Sequence, residues 1–291
     1  MNINDLYIVK ENPRLIHRLI LDHSKGKLAK YFAGGFFIFF LTSWLPDIIG
    51  MIFPLNYFDL IADRLKNIDE ATLAQLPTIS VYTIAYMFLF VGVFQAGKAL
   101  YVLTFIRNGS VEYRSIFEGF KFYLKTLGMS VAISIFVTAG FMLFVIPGIL
   151  FWYHFRQSYY ILADDPKKGV MQCLAESRLR MTGNKMNLFK LDLSYLGVLA
   201  LGYIPVYSVA YFGLVSTETS TGIAIYLLLE LPLAIALAYY DLGKAVFYEL
   251  LVSQGFDNFK YAGQDAFRNY PKYTSNINNN HNNDNNEIEG N

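Results

Sequence analysis

Between residues 31 and 250 the chain is a succession of long apolar runs separated by short charged connections, and nothing else in it constrains the fold as strongly. A hydrocarbon core of ~30 Å is crossed by about 20 apolar residues in a helix, and lipid offers an irregular backbone no hydrogen-bond partner. Runs at about 31–53, 78–105, 127–146, 149–163, 189–213 and 222–250 therefore read as membrane helices. Composition agrees: 54% of residues are hydrophobic and 16% charged, where soluble domains carry about 25% charged residues.

The count depends on Pro147 and Gly148. Proline removes a backbone donor and glycine permits a tight reversal, so a turn there makes 149–163 a separate short span. The positive-inside rule favours that turn. Lys and Arg number six in 1–30, four in 107–125, six in 164–190 and three after 250. With six spans all four segments share one compartment, and the acidic 54–77 connection faces the other. With five, 107–125 and 164–190 fall on opposite sides. The expected architecture is all-α: a polytopic bundle of about six transmembrane helices arranged as three hairpins, with amphipathic cytoplasmic helices.

Residues 1–30 read as a cytoplasmic amphipathic segment, with Leu15, Ile16, Leu19 and Ile20 at helical spacing among basic residues. That stretch lacks the apolar core and cleavage site of a signal peptide. Pro46 and Asp47 are expected to interrupt the first span, and Pro232 to kink the last. Residues 254–291 are polar and Asn-rich and read as a disordered tail. The dipeptide Asp164-Asp165 before Pro166 suggests the start of a helix over 166–181, capped by a carboxylate and stopped at Thr182-Gly183-Asn184. Val170, Met171, Leu174 and Ala175 make one side of it, leaving Lys167, Lys168, Arg178 and Arg180 for anionic lipid.

Three cations interrupt the spans. Lys98 and Lys244 each sit in a Gly-Lys-Ala triplet, and Arg156 lies in FWYHFRQSYY. All three are on even-numbered spans, about six to eight residues inside the cytoplasmic end. A cation at the bilayer centre costs ~2.5–3.5 kcal/mol on insertion scales, less where its stem reaches the interface. They read either as snorkelling anchors or as a shared inner-leaflet site for an anionic lipid headgroup or a carboxylate partner. Glu230 and Asp241 on the last span offer intrabundle counter-charges, and His154 and Gln157 offer cross-helix hydrogen bonds. The candidate site is thus Lys98, Arg156, Lys244, His154, Gln157, Glu230 and Asp241.

No enzyme motif is present. His17, His23, His154 and His281 are scattered, no H-E-x-x-H, G-x-S-x-G or P-loop occurs, and Cys173 is the lone thiol. No catalytic residue, metal or cofactor is expected, and no basic arm suggests nucleic acid. Cys173 is expected to react with a maleimide only once membranes are opened.

The run IPGILFWYHFRQSYYILADDP, with AESR at 175–178, MTGNK at 181–185 and LFKLDLSYLG at 188–197, resembles the bacterial membrane family called domain of unknown function 975. IFEGF at 116–120 and AVFYEL at 245–250 add to the resemblance, which covers roughly 20–250. It implies a multi-pass protein of the bacterial cytoplasmic membrane and assigns no reaction. A more distant similarity runs to the non-catalytic membrane part of some glycerophosphodiester phosphodiesterases. The functional expectation is a non-enzymatic envelope factor, its termini cytoplasmic, that binds membrane lipids, anionic ones included, or a membrane protein partner. The alternative is a small-solute or peptide transporter, exporter or immunity-type protein.

Overall fold

The computed structural model describes residues 10–24, 26–55, 80–214 and 220–258. The 54–77 connection lies almost wholly outside them, as do residues 215–219 and the tail past 258. The described chain is almost entirely helical. It runs through α1 (Pro13–His23), α2 (Leu28–Ile52), α3 (Val81–Asn108), a 3-10 segment (Tyr113–Phe122) and α4 (Tyr123–Leu143). It continues with α5 (Val145–His154), α6 (Ser158–Asp164), α7 (Val170–Met181), α8 (Lys185–Phe212) and α9 (Ser220–Asn258).

Among the described residues, five helices are long and apolar enough to cross a membrane: α2, α3, α4 with its 3-10 lead-in, α8 and α9. The central one is α3, buried over 56% of its most apolar stretch against 17% for α4 and for α8. Leu193, Leu196, Leu201 and Tyr207 of α8, like Ile135 and Met142 of α4, are exposed. Water would penalise such a surface; lipid does not.

The reversal after α4 is real but falls three residues earlier than expected. Phe144, fully extended at φ −164° and ψ 161°, separates α4 from α5. A Cβ on Gly140 would lie 2.9 Å from the Gly148 Cα, and one on Gly148 2.4 Å from the Phe141 ring, so the two helices are folded back on each other. In one continuous helix residues 140 and 148 would stand about 12 Å apart. Pro147 sits in the first turn of α5, where its missing N–H has no intrahelical carbonyl to lose. Gly148 serves close approach rather than the turn itself.

The expected continuous helix over 149–163 is in two pieces. Residues Phe155–Gln157 form a turn between α5 and α6, and α6 is only 7 residues long. The first span, by contrast, is unbroken. Phe40–Trp44 is wound as a π-helix, and Pro46 falls in the first turn after it, so the helix runs on to Ile52 through the expected interruption at Pro46-Asp47. Likewise α9 runs through Pro232 to Asn258, past the expected boundary at 254.

Residues 107–125, expected as one amphipathic stretch, become the end of α3, a left-handed Gly109 (φ 61°) and the 3-10 segment. Ten residues of 3-10 helix exceed the usual run. Backbone contact with α3 holds them: a Cβ on Gly97 would lie 1.9 Å from the Ile116 carbonyl oxygen, and one on Gly119 2.3 Å from that of Val93.

Helix α1 is capped by the Asn12 side chain, which accepts from the Arg14 N–H at 3.1 Å, with Pro13 at its first position. It packs on α8 and α9 rather than standing apart. Ile16 and Ile20 are buried, and His17 bonds the Tyr239 hydroxyl through Nδ1 (2.9 Å) and Ser194 Oγ through Nε2 (3.0 Å).

Helix α7 begins at Val170, not Pro166. Asp165 Oδ1 instead accepts the Lys167 N–H at 3.0 Å and closes a turn, and the Gln172 side chain caps the helix by accepting the Gly169 N–H at 2.9 Å. The buried face also differs from the expected one. Cys173, Leu174, Ser177, Arg180 and Met181 turn inward, while Met171 and Ala175 are exposed. Arg180 and Lys168 both pair with Glu176, Lys168 at 2.7 Å, so neither is a lipid-facing cation; Arg178 stays exposed. The reason is the α5–α6 break. Ser177 Oγ donates to the His154 carbonyl at 2.6 Å and accepts the Gln157 N–H at 3.2 Å, docking α7 beneath the turn.

Candidate functional site

Helix α9 supplies the centre of the site. Asp241 and Lys244, three residues apart, share a helix face, and Lys244 Nζ lies 2.5 Å from Asp241 Oδ1. The other carboxylate oxygen meets Lys98 Nζ of α3 at 3.2 Å. One carboxylate thus joins both lysines of the two Gly-Lys-Ala triplets. The glycines make this possible: Gly97 lets the 3-10 segment lie against α3, and Gly243 makes room for the Tyr195 hydroxyl, which a Cβ would meet at 2.3 Å. Ala99 and Ala245 are buried beside them.

Arg156 reaches the same centre from the α5–α6 turn. It donates to the Tyr240 hydroxyl, which donates to Asp192 Oδ1 of α8 at 2.7 Å. Tyr153 donates to Asp192 Oδ2 at 2.9 Å, and the Arg156 guanidinium stands 3.7 Å from that oxygen. The Tyr240 ring lies between the two halves, 4.4 Å from Lys244 Nζ and 5.8 Å from the Arg156 carbon. Trp152, 5.3 Å from the same carbon, covers Arg156 from the outside. Exposure of the five charged side chains runs only from 10 to 19%. Pairing is what makes such charges tolerable among apolar helices, since each alone would carry its full desolvation cost.

Of the seven residues singled out in the sequence, the structure brings together Lys98, Arg156, Lys244 and Asp241. Glu230 stands apart, accepting a hydrogen bond from Trp44 Nε1, about 16 Å along α9 from Asp241. His154 and Gln157 do not join the cations either. They flank the α5–α6 break, with Gln157 wholly buried, and His154 Nδ1 and Gln157 Oε1 have no hydrogen-bond partner. Sequence reading missed Asp192, Tyr153 and Tyr240. Asp192 had the same signal as Asp241, a carboxylate inside an apolar run; the two tyrosines are lost among 22.

A second ionic group ties α3, α6 and α9 together. Arg107 of α3 pairs with Asp164 of α6 at 2.5 Å and with Glu249 of α9 at 2.7 Å, and Tyr248 donates to the free Asp164 oxygen at 2.5 Å. Asp164, expected as a helix cap, is instead the end of α6 and a clamp on α3 and α9. Nearby in α7, burial pushes the Cys173 thiol up to about 11, and its side chain is wholly enclosed. Opening the membrane alone will therefore not make it reactive, contrary to the sequence expectation. No group of three or more His, Cys, Asp or Glu among the described residues is arranged to hold a metal ion.

Comparison with known proteins found a family match and no more. Neither a curated protein nor a solved structure matches the chain. The family match is narrower than the resemblance drawn from the sequence; it takes in Arg156, Asp192, Asp241 and Lys244 but leaves out Lys98 and the IFEGF segment. Residues 129–254, somewhat less than half of the chain, match the family model described as protein of unknown function (DUF975), so this part of the chain is similar to a family with no assigned activity.

Proposed function

We propose that this is a six-span membrane protein, three antiparallel hairpins in a bacterial cytoplasmic membrane with both termini inside, that binds the anionic headgroup of an inner-leaflet lipid. The single observation carrying the reading is a charge imbalance. Lys98, Arg156 and Lys244 converge on two carboxylates, Asp192 and Asp241, so one positive charge is left over among apolar helices. An uncompensated charge there is costly, and an anion that completes the pairing recovers the cost. Lys98 sits ten residues, about 15 Å, before the end of α3, a depth a headgroup phosphate reaches when lysine and arginine stems extend toward it.

Contacts within each helical pair support the three hairpins. Gly34 faces Tyr101 and Gly50 faces Thr83; Gly140 faces Gly148; Gly202 faces Leu233 and Gly243 faces Tyr195. Every pair runs antiparallel, with α5 and α6 together supplying the short fourth crossing.

The test is native mass spectrometry of the full chain purified with endogenous lipid. Lys98→Gln leaves two cations against two carboxylates, and it is expected to lose retained phosphatidylglycerol and cardiolipin while keeping the wild-type helicity. Unchanged retention in a folded variant rules the reading out. A second reading, transport, draws on the α5–α6 break beside Arg156, since broken helices at membrane depth line many transport sites. Solute flux in proteoliposomes that disappears in Asp192→Asn or Asp241→Asn would favour it.

A further inference from the structure

A separate cleft of about 420 Å³ opens between α3 and α4, closed at its back by Tyr159 of α6. Its rim is apolar: Met87, Phe88 and Ile135 are 46, 57 and 60% exposed. Its deep end is different. Ser130 and the Tyr159 hydroxyl, 2.7 Å apart, line it together with Gln95, and no ionisable carboxylate, amine, imidazole or guanidinium lines the cleft. Gln95 lies fourteen residues from the start of α3 and thirteen from its end, which puts its amide at the middle of the crossing.

The hydrogen-bond inventory is specific. Ser130 has one hydroxyl proton, and it goes to the Thr126 carbonyl at 3.1 Å. With that proton on the Thr126 carbonyl, Tyr159 donates the 2.7 Å contact to Ser130, and its oxygen keeps acceptor capacity toward the cleft. Gln95 makes no side-chain hydrogen bond to another described residue, and its NH2 group is a donor. An amide at mid-membrane has no water to turn to, so leaving it unpaired is costly.

The geometry points to a binding site for a neutral lipid alcohol, an uncharged long-chain molecule whose hydroxyl accepts from the Gln95 amide and donates to the Tyr159 oxygen. The cleft has no cation among its lining residues to hold a phosphate, which excludes a phospholipid headgroup. The lack of a counter-charge excludes fatty-acid carboxylates. The apolar walls exclude water-soluble solutes. An uncharged lipid can move to the bilayer middle, and its chain fills the space between Met87, Val91 and Ile135. A simple fatty alcohol and an acylglycerol carry the same hydroxyl chemistry, and the site admits whichever has a head small enough.

The test uses full-length protein in nanodiscs and a diazirine-bearing hexadecanol, with the matching diazirine-bearing hexadecane as control. Irradiation is expected to label peptides containing 87–95 and 130–135 with the alcohol at least several-fold over the alkane. Unlabelled hexadecanol should compete, and a competing diacylglycerol distinguishes the acylglycerol from the simple alcohol as the better occupant. Phosphatidylglycerol should not compete. Gln95→Leu, which removes the donor without adding bulk, should weaken alcohol competition by about five- to tenfold and leave alkane labelling unchanged, the size expected for one net hydrogen bond. Ser134→Phe should abolish both. Equal labelling by alcohol and alkane, or competition that Gln95→Leu does not touch, would overturn the assignment. The competition arm decides the question even where Ser134→Phe fails to fold.

Discussion

Replacing Gly97 by alanine tests the packing that sets the ionic site. The new Cβ would lie 1.9 Å from the Ile116 carbonyl oxygen and 2.7 Å from its carbon, both backbone atoms that no side-chain rotation can move. Side-chain Cβ atoms essentially never come closer than 3.0 Å, so the 3-10 segment must retreat by at least the difference, 1.1 Å. Overpacking of this kind costs about 1–3 kcal/mol, and removing a helical glycine returns at most ~1 kcal/mol of backbone entropy. Relative to a control that keeps only the entropic gain, the expected loss is about 1–3 kcal/mol. At roughly 2–4 °C per kcal/mol, that is an unfolding midpoint about 2–12 °C below the control's. The matched control is Gly197→Ala in α8, where nothing lies within 4 Å of the new atom and only the entropic gain remains. The assay is built into the chain. Cys173 is the lone thiol and fully buried, so a thiol-reactive fluorophore in a thermal ramp reports unfolding directly. If Gly97→Ala melts with Gly197→Ala, the claim that backbone contact at Gly97 holds the 3-10 segment on α3 is wrong.

Two further outcomes are expected. In a Cys173→Ala background, the exposed Ala175→Cys should be silent to an impermeant maleimide in intact cells and react after the membrane is opened, whereas native Cys173 stays silent in both until the fold opens; external labelling of Ala175→Cys would reverse the proposed orientation. His17, whose neutral form is favoured because its burial lowers its affinity for a proton, should hold α1 on α8 and α9 fully above pH ~6.5 and lose that contribution as pH falls through its lower folded value. Hydrogen exchange of 13–23 should therefore speed up in mild acid in the wild type and show no such pH step in His17→Gln.

Legibility differed by element. The runs at 31–53, 78–105, 189–213 and 222–250 stand out because lipid demands an unbroken apolar helix, and each lies on a helix within a few residues. The reversal near Pro147 was legible in kind, since charge placement asked for it. Its location at Phe144 was not, because packing of Gly140 on Gly148 chooses the residue. Of the site, Lys98, Arg156, Lys244 and Asp241 showed themselves as charges in apolar runs. Glu230 showed the same signal and went to Trp44 instead.

What the sequence determined alone was where the chain is apolar enough to cross a membrane, because that follows from single-residue transfer costs. What only the tertiary structure decided was partnership: that Asp241 holds two lysines from different helices, that Asp192 answers Arg156 through Tyr240, and that Glu176 takes Lys168 and Arg180 off the surface. A charge inside a membrane helix must find a partner, but which one depends on the rotation and depth of its neighbours. Those are set by glycines such as Gly97 and Gly243, whose bare backbones bring the helices into contact.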